Sequence, residues 1–225
     1  MCVENISTTP LISIDPYNRT DDAIMEFRLT YEGPLMPDSR SATRPSHKHE
    51  IRREFHKQLK HYWAVHPTLV TMPGYDRMST QSMVRLGISR VEQLTIKFDK
   101  YGYNFVPLIT EDLALVCSID ILFLRPNIPG TIVKSGDLDN RLKTLFDALR
   151  MPSQKGELGG FDTPLPDEKP FYCLLEDDGL ITHISVTTDT LLQPIGANFL
   201  PTDARLIISV KIKPHVMELH NIAFG

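Results

Sequence analysis

The chain of 225 residues is short of cysteine, of tryptophan, of long apolar runs and of surplus positive charge. Each shortage excludes something. Cys2, Cys117 and Cys173 are odd in number and widely scattered, which fits reduced thiols and not a disulfide framework or a zinc cluster. The longest apolar stretch, Leu113 to Leu124, is interrupted by Ser118 and Asp120 and falls well below the roughly 20 residues that a membrane helix needs. The segment from Met1 to Pro16 has neither a basic start nor a sustained apolar region, so neither a signal peptide nor a membrane association is expected, and the expected location is cytoplasmic. Lys and Arg number 24 against 28 Asp and Glu, a net charge of −4, which argues against an indiscriminate nucleic-acid coat.

What is present is an ordinary folding composition, with 41% apolar and 23% charged residues, enough for one large domain or a medium one with insertions. The latter is favoured here. Residues 1–22 lack periodicity and are read as an N-terminal arm, with one domain over 23–225. Met25, Phe27, Leu29 and Tyr31 alternate with Glu26, Arg28, Thr30 and Glu32, the period of a strand with one buried face, and Gly33, Pro34 and Pro37 end it. His49 to Trp63 reads as a helix with Ile51, Phe55, Leu59 and Tyr62 on one side and cations on the other, and Trp63 is placed in the core. Residues 64–112 carry short mixed patterns and are read as an insertion.

Leu115, Cys117, Ile119, Ile121 and Phe123 alternate again, and Leu122 and Leu124 on the opposite face make this strand central. A helix starting near Asp137 bears the apolar stripe Leu138, Leu142, Leu145 and Leu149, with Asp139, Lys143 and Asp147 on a different face. Residues 151–173 read as a second insertion, mostly a Pro- and Gly-containing loop. Ile184, Val186 and Thr188 suggest a third strand, and Leu206, Ile208, Val210 and Ile212 a fourth. The expected architecture is α+β, a small mixed sheet with two main helices packed on it.

The chemistry concentrates in Asp137-Leu138-Asp139-Asn140-Arg141-Leu142-Lys143, where two carboxylates and a lysine stand at a helix start, and in Glu176-Asp177-Asp178 before the next strand. Phosphodiester hydrolysis needs an activated water and neutralisation of charge on phosphorus, and Mg²⁺ takes its oxygen ligands from a few converging carboxylates. Asp137 and Asp139 are candidate ligands, a third carboxylate from Glu176-Asp177-Asp178 could fold back beside them, and Lys143 is placed to meet a phosphate oxygen. Plainer readings stand alongside. Asp137 or Asp139 serves equally as a helix cap, Lys143 as an i,i+4 partner of Asp139 or Asp147, and Asp177 and Asp178 as turn residues. From Arg40 to Lys60 there are seven cations, Arg40, Arg44, Lys48, Arg52, Arg53, Lys57 and Lys60, against Glu50 and Glu54. They read either as a solvated face or as a surface for DNA backbone, which positions without specifying sequence. His47, His49, His56 and His61 lack the Cys or carboxylate companions of a zinc set.

The Asp137-Leu138-Asp139-Asn140 motif, Lys143, the continuation Phe146-Asp147-Ala148-Leu149 and the later Asp177-Asp178 ahead of a strand resemble the RusA-like Holliday junction resolvases. That resemblance extends loosely over Met25 to Lys60. It implies a single RusA-like domain with insertions that binds Mg²⁺ through Asp137, Asp139 and Asp178, with Asp177 auxiliary and Lys143 contacting the scissile phosphate. It further implies a homodimeric DNA endonuclease acting in recombination and repair, nicking a four-way junction symmetrically to leave 5′-phosphate and 3′-hydroxyl ends. The chain departs from the family in being acidic and in the length of its two expected insertions. A catalytically inactive relative, working in DNA binding or protein interaction, is the alternative. A phosphohydrolase or nucleotide-sugar transferase fits less well, because Thr131 to Gly136 is not the buried apolar strand an aspartyl nucleophile needs.

Overall fold

The computed structural model describes residues 25–38, 44–79, 82–126, 137–218 and 220–224. The expected arm at 1–22, Arg40, and the approach to the motif helix at 131–136 lie outside the described residues. In chain order the elements are β1 (Met25–Pro34), α1 (Arg44–Val65), α2 (Pro67–Val70), β2 (Pro73–Ser79), β3 (Ser82–Ser89), α3 (Arg90–Lys97), β4 (Asp99–Lys100) and β5 (Tyr103–Ile109). There follow β6 (Leu115–Arg125), α4 (Asp137–Leu149), β7 (Phe171–Leu175), β8 (Ile181–Thr190) and β9 (Asp203–Pro214). The fold is α+β. No helix among the described residues is long and apolar enough to cross a membrane.

The four strands anticipated from alternation make one mixed sheet in the order β1-β9-β6-β8. β9 runs antiparallel to both β1 and β6, and β6 runs parallel to β8, so β6 is interior to the sheet. Its Cys117, Ile119, Ile121 and Phe123 are buried, together with Leu206, Ile208, Val210 and Ile212 of β9. Leu122 and Leu124 lie on the other face and are only half-buried, so that face is not a second core.

Five strands were not anticipated, namely β2 and β3, which pair with each other, and β4, β5 and β7. β5 and β7 pair in parallel, and with β4 they form a second, three-stranded sheet. β5 has no alternation because nearly all of Tyr103–Ile109 is buried on both faces, and Pro107 within it further obscures the pattern. β7 occupies the stretch read as the end of a loop. α1 lies between the sheets and begins at Arg44, five residues before the expected start at His49. Tyr62 stacks on Phe27 of β1 with centroids 4.3 Å apart, while His56 stacks on Phe171 of β7 at 4.5 Å. Such aromatic pairs add about 0.5–1.5 kcal/mol beyond their area burial. Trp63 is buried beside Tyr172, and one contiguous cluster of buried side chains runs from Met25 to Phe224. The segments expected as insertions contribute to it directly, through Leu94, Phe98 and Phe105 in one case and Met151 and Leu158 in the other.

The connection from α4 to β7 crosses the start of α1 at close range. Gly159 has φ 62°, and a Cβ there would overlap the backbone of Pro45 and Ser46. Gly160 has φ 92° with open space around it. Gly159→Ala is therefore expected to cost about 2–4 kcal/mol from strain plus overlap, against about 1 kcal/mol for Gly160→Ala from strain alone. Urea midpoints of the two variants check this; equal midpoints would contradict the close approach.

Candidate functional site

The leucine stripe of the motif helix decides which way its polar side chains point. Leu145 and Leu149 are buried, and Leu138 and Leu142 pack against the core, so Asp139, Asn140 and Lys143 are left on the outer side of α4 and exposed. Asp137 is the first residue of the helix; its side chain lies outside the described residues. Asp147, four residues beyond Lys143, does not share that exposure. It is held between Lys48 and Arg150, at 2.6 and 2.9 Å, because α1 covers the C-terminal half of α4.

The second acidic cluster comes beside the same helix. β7 ends at Leu175, and a single 3-10 turn, Asp178–Leu180, packs beside α4 and β6 before β8 begins. Asp177 caps that turn, its Oδ1 accepting from the Gly179 N–H at 2.9 Å, while Asp178 is exposed. The turn reading of Asp177 thus holds, and it fixes the backbone that presents Asp178. Glu176 points elsewhere: its Oε2 accepts from the Glu111 N–H at 3.0 Å, and burial raises its pKa above the ordinary carboxylate value against the opposing effect of that hydrogen bond.

Lys143 is not paired back onto its own helix. Its ammonium contacts Asp38 Oδ2 at 3.1 Å while its side chain remains 64% exposed. Asp38 sits in the loop between β1 and α1, where its backbone N–H donates to Asn140 O at 2.9 Å, and its Oδ1 meets Lys48 at 2.8 Å. Burial works against the charged Asp38 carboxylate, but hydrogen bonds and charge from Lys48 and Lys143 outweigh it and lower its pKa. Lys48 in turn bridges Asp38 and Asp147, which raises its pKa despite desolvation. Sequence reasoning missed Asp38 and this network; the bracketing Pro37 marks a loop but not its landing place on α4.

No known family model, curated protein or solved structure matches the chain. The donor set must be judged on its own chemistry. Among the described residues, no three His, Cys, Asp or Glu side chains already converge as a metal cage. Mg²⁺ does not require one, since it keeps several waters and is commonly held by one or two carboxylates plus substrate phosphate. Asp139 and Asp178, exposed on adjacent elements and outside every described ion pair, fit that requirement as an all-oxygen set.

Within the cationic run the reading is corrected at Arg52, which is buried. Arg52 is 1% exposed and serves the interior, donating through Nε to Arg150 O at 3.0 Å and through NH2 to Asp147 O at 2.7 Å. These are carbonyls at the C-terminal end of α4, which lack partners within their own helix. Arg53 pairs with buried Glu168, Nε to Oε1 at 2.6 Å, and lies over the Phe161 ring at 4.3 Å. Lys48 belongs to the network just described. Arg52 therefore cannot reach DNA, and Arg53 and Lys48 are committed to anchoring the loop before β7 and the loop before α1. Lys57 is exposed and paired with Glu54, Lys60 donates to Asp167 O at 2.6 Å, and Arg44 is half-buried at the head of α1. Arg52 and Arg53 face inward because α4, the 151–170 connection and β7 cover the flank of α1 that would otherwise be solvated.

Proposed function

We propose that the chain is a Mg²⁺-dependent, structure-selective DNA endonuclease of the RusA-like type, acting in the cytoplasm in recombination and repair as a homodimer that resolves four-way junctions by paired symmetric nicks. The supporting observation is that the turn carrying Asp177 and Asp178 packs beside α4, the helix on which Asp139 and Lys143 are exposed. Mg²⁺ held by Asp137, Asp139 and Asp178, with Asp177 auxiliary, would offset charge on the scissile phosphate and make water a better nucleophile. Asp139 stands in the first turn of α4, where the helix end favours a nearby anion. Lys143 presents its ammonium one turn further on, toward a phosphate oxygen.

Labelled four-way junction, flap and linear duplex DNA, incubated with Mg²⁺ and either wild type or Asp139→Asn, test the reading. Paired nicks on the junction are expected, reduced about 100-fold or more in the variant at unchanged folding and junction binding. Near-normal nicking by Asp139→Asn would remove the assignment. A second reading, a non-catalytic relative acting in DNA binding or protein interaction, draws support from the inward use of Arg52, Arg53 and Lys48. Absence of DNA affinity at low salt, where phosphate-driven binding is strongest, would favour its protein-interaction form.

A further inference from the structure

We propose that Asp38 is a positioning residue that holds the Lys143 ammonium at the candidate phosphate site, an inference that rests on the nuclease reading of that site. Three observations on separate elements converge on it. Asp38 Oδ2 lies 3.1 Å from Lys143 Nζ, and Asp38 Oδ1 lies 2.8 Å from Lys48 Nζ, so both carboxylate oxygens are engaged by cations. The Asp38 backbone N–H donates to Asn140 O at 2.9 Å, fastening the loop to the first turn of α4 beside Asp139. Lys48 is fixed at its other side by Asp147, which also receives Arg150. A line of alternating charge thus runs from the interior contact of α1 and α4 out to Lys143, whose side chain is the most exposed of that line.

A lysine on a four-carbon stem at a helix surface samples many rotamers, and ordering it costs side-chain entropy. Its alternative partner is Asp139 on its own helix, at i−4. Asp38 removes both problems: it selects one placement of Lys143 and takes it away from Asp139, which is left available as a ligand. An ammonium carries three donors, so the contact with Asp38 leaves others for phosphate oxygens. An ordinary exposed pair would have little effect, but Asp38 is 20% exposed and anchored through Lys48, which is 14% exposed.

The test is a double-mutant cycle with Asp38→Asn, Lys143→Met and the double variant, measured as junction nicking with Mg²⁺. Asp38→Asn is expected to lower kcat about tenfold with KM changed less than about twofold, and to cause less than about a twofold further loss in the Lys143→Met background. Losses that multiply would overturn the proposal, because a purely structural role does not depend on Lys143. A second measurement does not depend on cleavage. Lysines are methylated reductively with ¹³C, and the Lys143 resonance is assigned by its absence in Lys143→Met. That resonance should sharpen in Asp38→Asn as the side chain is released. An unchanged linewidth overturns the proposal. If the wild type nicks no DNA substrate, the nuclease reading falls, while a sharpened line would still show Asp38 holding Lys143.

Discussion

Replacing Arg52 by Met should destabilise the protein by about 3–5 kcal/mol, a larger effect than substitution of any other cation in the basic run. The guanidinium is fully enclosed, and its donors satisfy Arg150 O, Asp147 O and His49 Nδ1 at 3.0, 2.7 and 3.1 Å. Met approximates the volume but leaves two helix-terminal carbonyls and an imidazole nitrogen without donors. Each orphaned buried polar group costs about 1–3 kcal/mol, and breaking a buried charged constellation by removing one member falls in the same total range. Arg52→Lys should recover only part of the loss, because a single ammonium cannot reproduce the planar fork. The check is the denaturant midpoint at unchanged slope. A shift below about 0.5 kcal/mol would contradict the buried geometry. For any DNA complex, the salt dependence of binding should be the same for Arg52→Met and wild type, whereas loss of a phosphate contact would reduce the log–log slope by about 1.

Acid should weaken the protein from about pH 6.5 downward, above the range where most of its carboxylates titrate. Burial, reinforced by the charges of Arg52 and Arg53, pushes the His49 pKa down from its ordinary 6.5 to about 3. Burial likewise lowers His47, His56 and His66, joined at His47 by the charge of Arg44 and at His56 by that of Lys60, where the Asp167 carbonyl partly opposes it. The hydrogen bonds require neutral rings. His56 Nδ1 accepts from the Tyr172 N–H at 2.8 Å while its Nε2 faces Asp167 O, and His47 Nε2 accepts from the Met36 N–H at 3.2 Å. In the unfolded chain each ring takes up a proton as pH falls through about 6.5, while the folded protein resists protonation. Stability is therefore full above that value and is lost as pH falls toward the folded pKa. For His49 the window runs from 6.5 to about 3, and at pH 4.5 it alone accounts for roughly 2–3 kcal/mol. Urea midpoints measured from pH 7.5 to 4.5 should fall steadily, and His49→Gln should show a shallower fall by about one proton. A midpoint independent of pH across that range would mean these rings are accessible and titrate normally.

Legibility followed one-sided burial. β1, β6 and β9 bury one face, so their period of two is visible in the residues themselves, while the edge strand β8, with Ile184 exposed and no residue fully buried, carries it only through Val186 and Thr188, and the stripe from Leu138 to Leu149 announces α4 in the same way as the first three. β5 and β7 are enclosed on both faces, and such strands carry no alternation; Pro107 and the brevity of Phe171–Leu175 removed what signal remained. The acidic motifs were equally legible as residue types, and their chemistry was argued before any geometry. That the turn at Asp178–Leu180 packs beside α4 depends on a connection of many residues, whose end point no local pattern encodes.

By itself, then, the amino-acid order determined the α+β character, the mixed four-stranded sheet and the two main helices, and it marked the acidic motifs as the candidate site. Only the tertiary structure decided which charges are available. Lys48, Arg52 and Arg53 look identical in sequence to solvated cations, yet they face β7, α4 and the loops that cover α1, whereas Lys143 stays exposed and meets Asp38 of the distant loop before α1. The physical reason is that side-chain periodicity reports which face of an element is apolar, while the partner of a charge is set by what packs there, a long-range matter that local order does not specify.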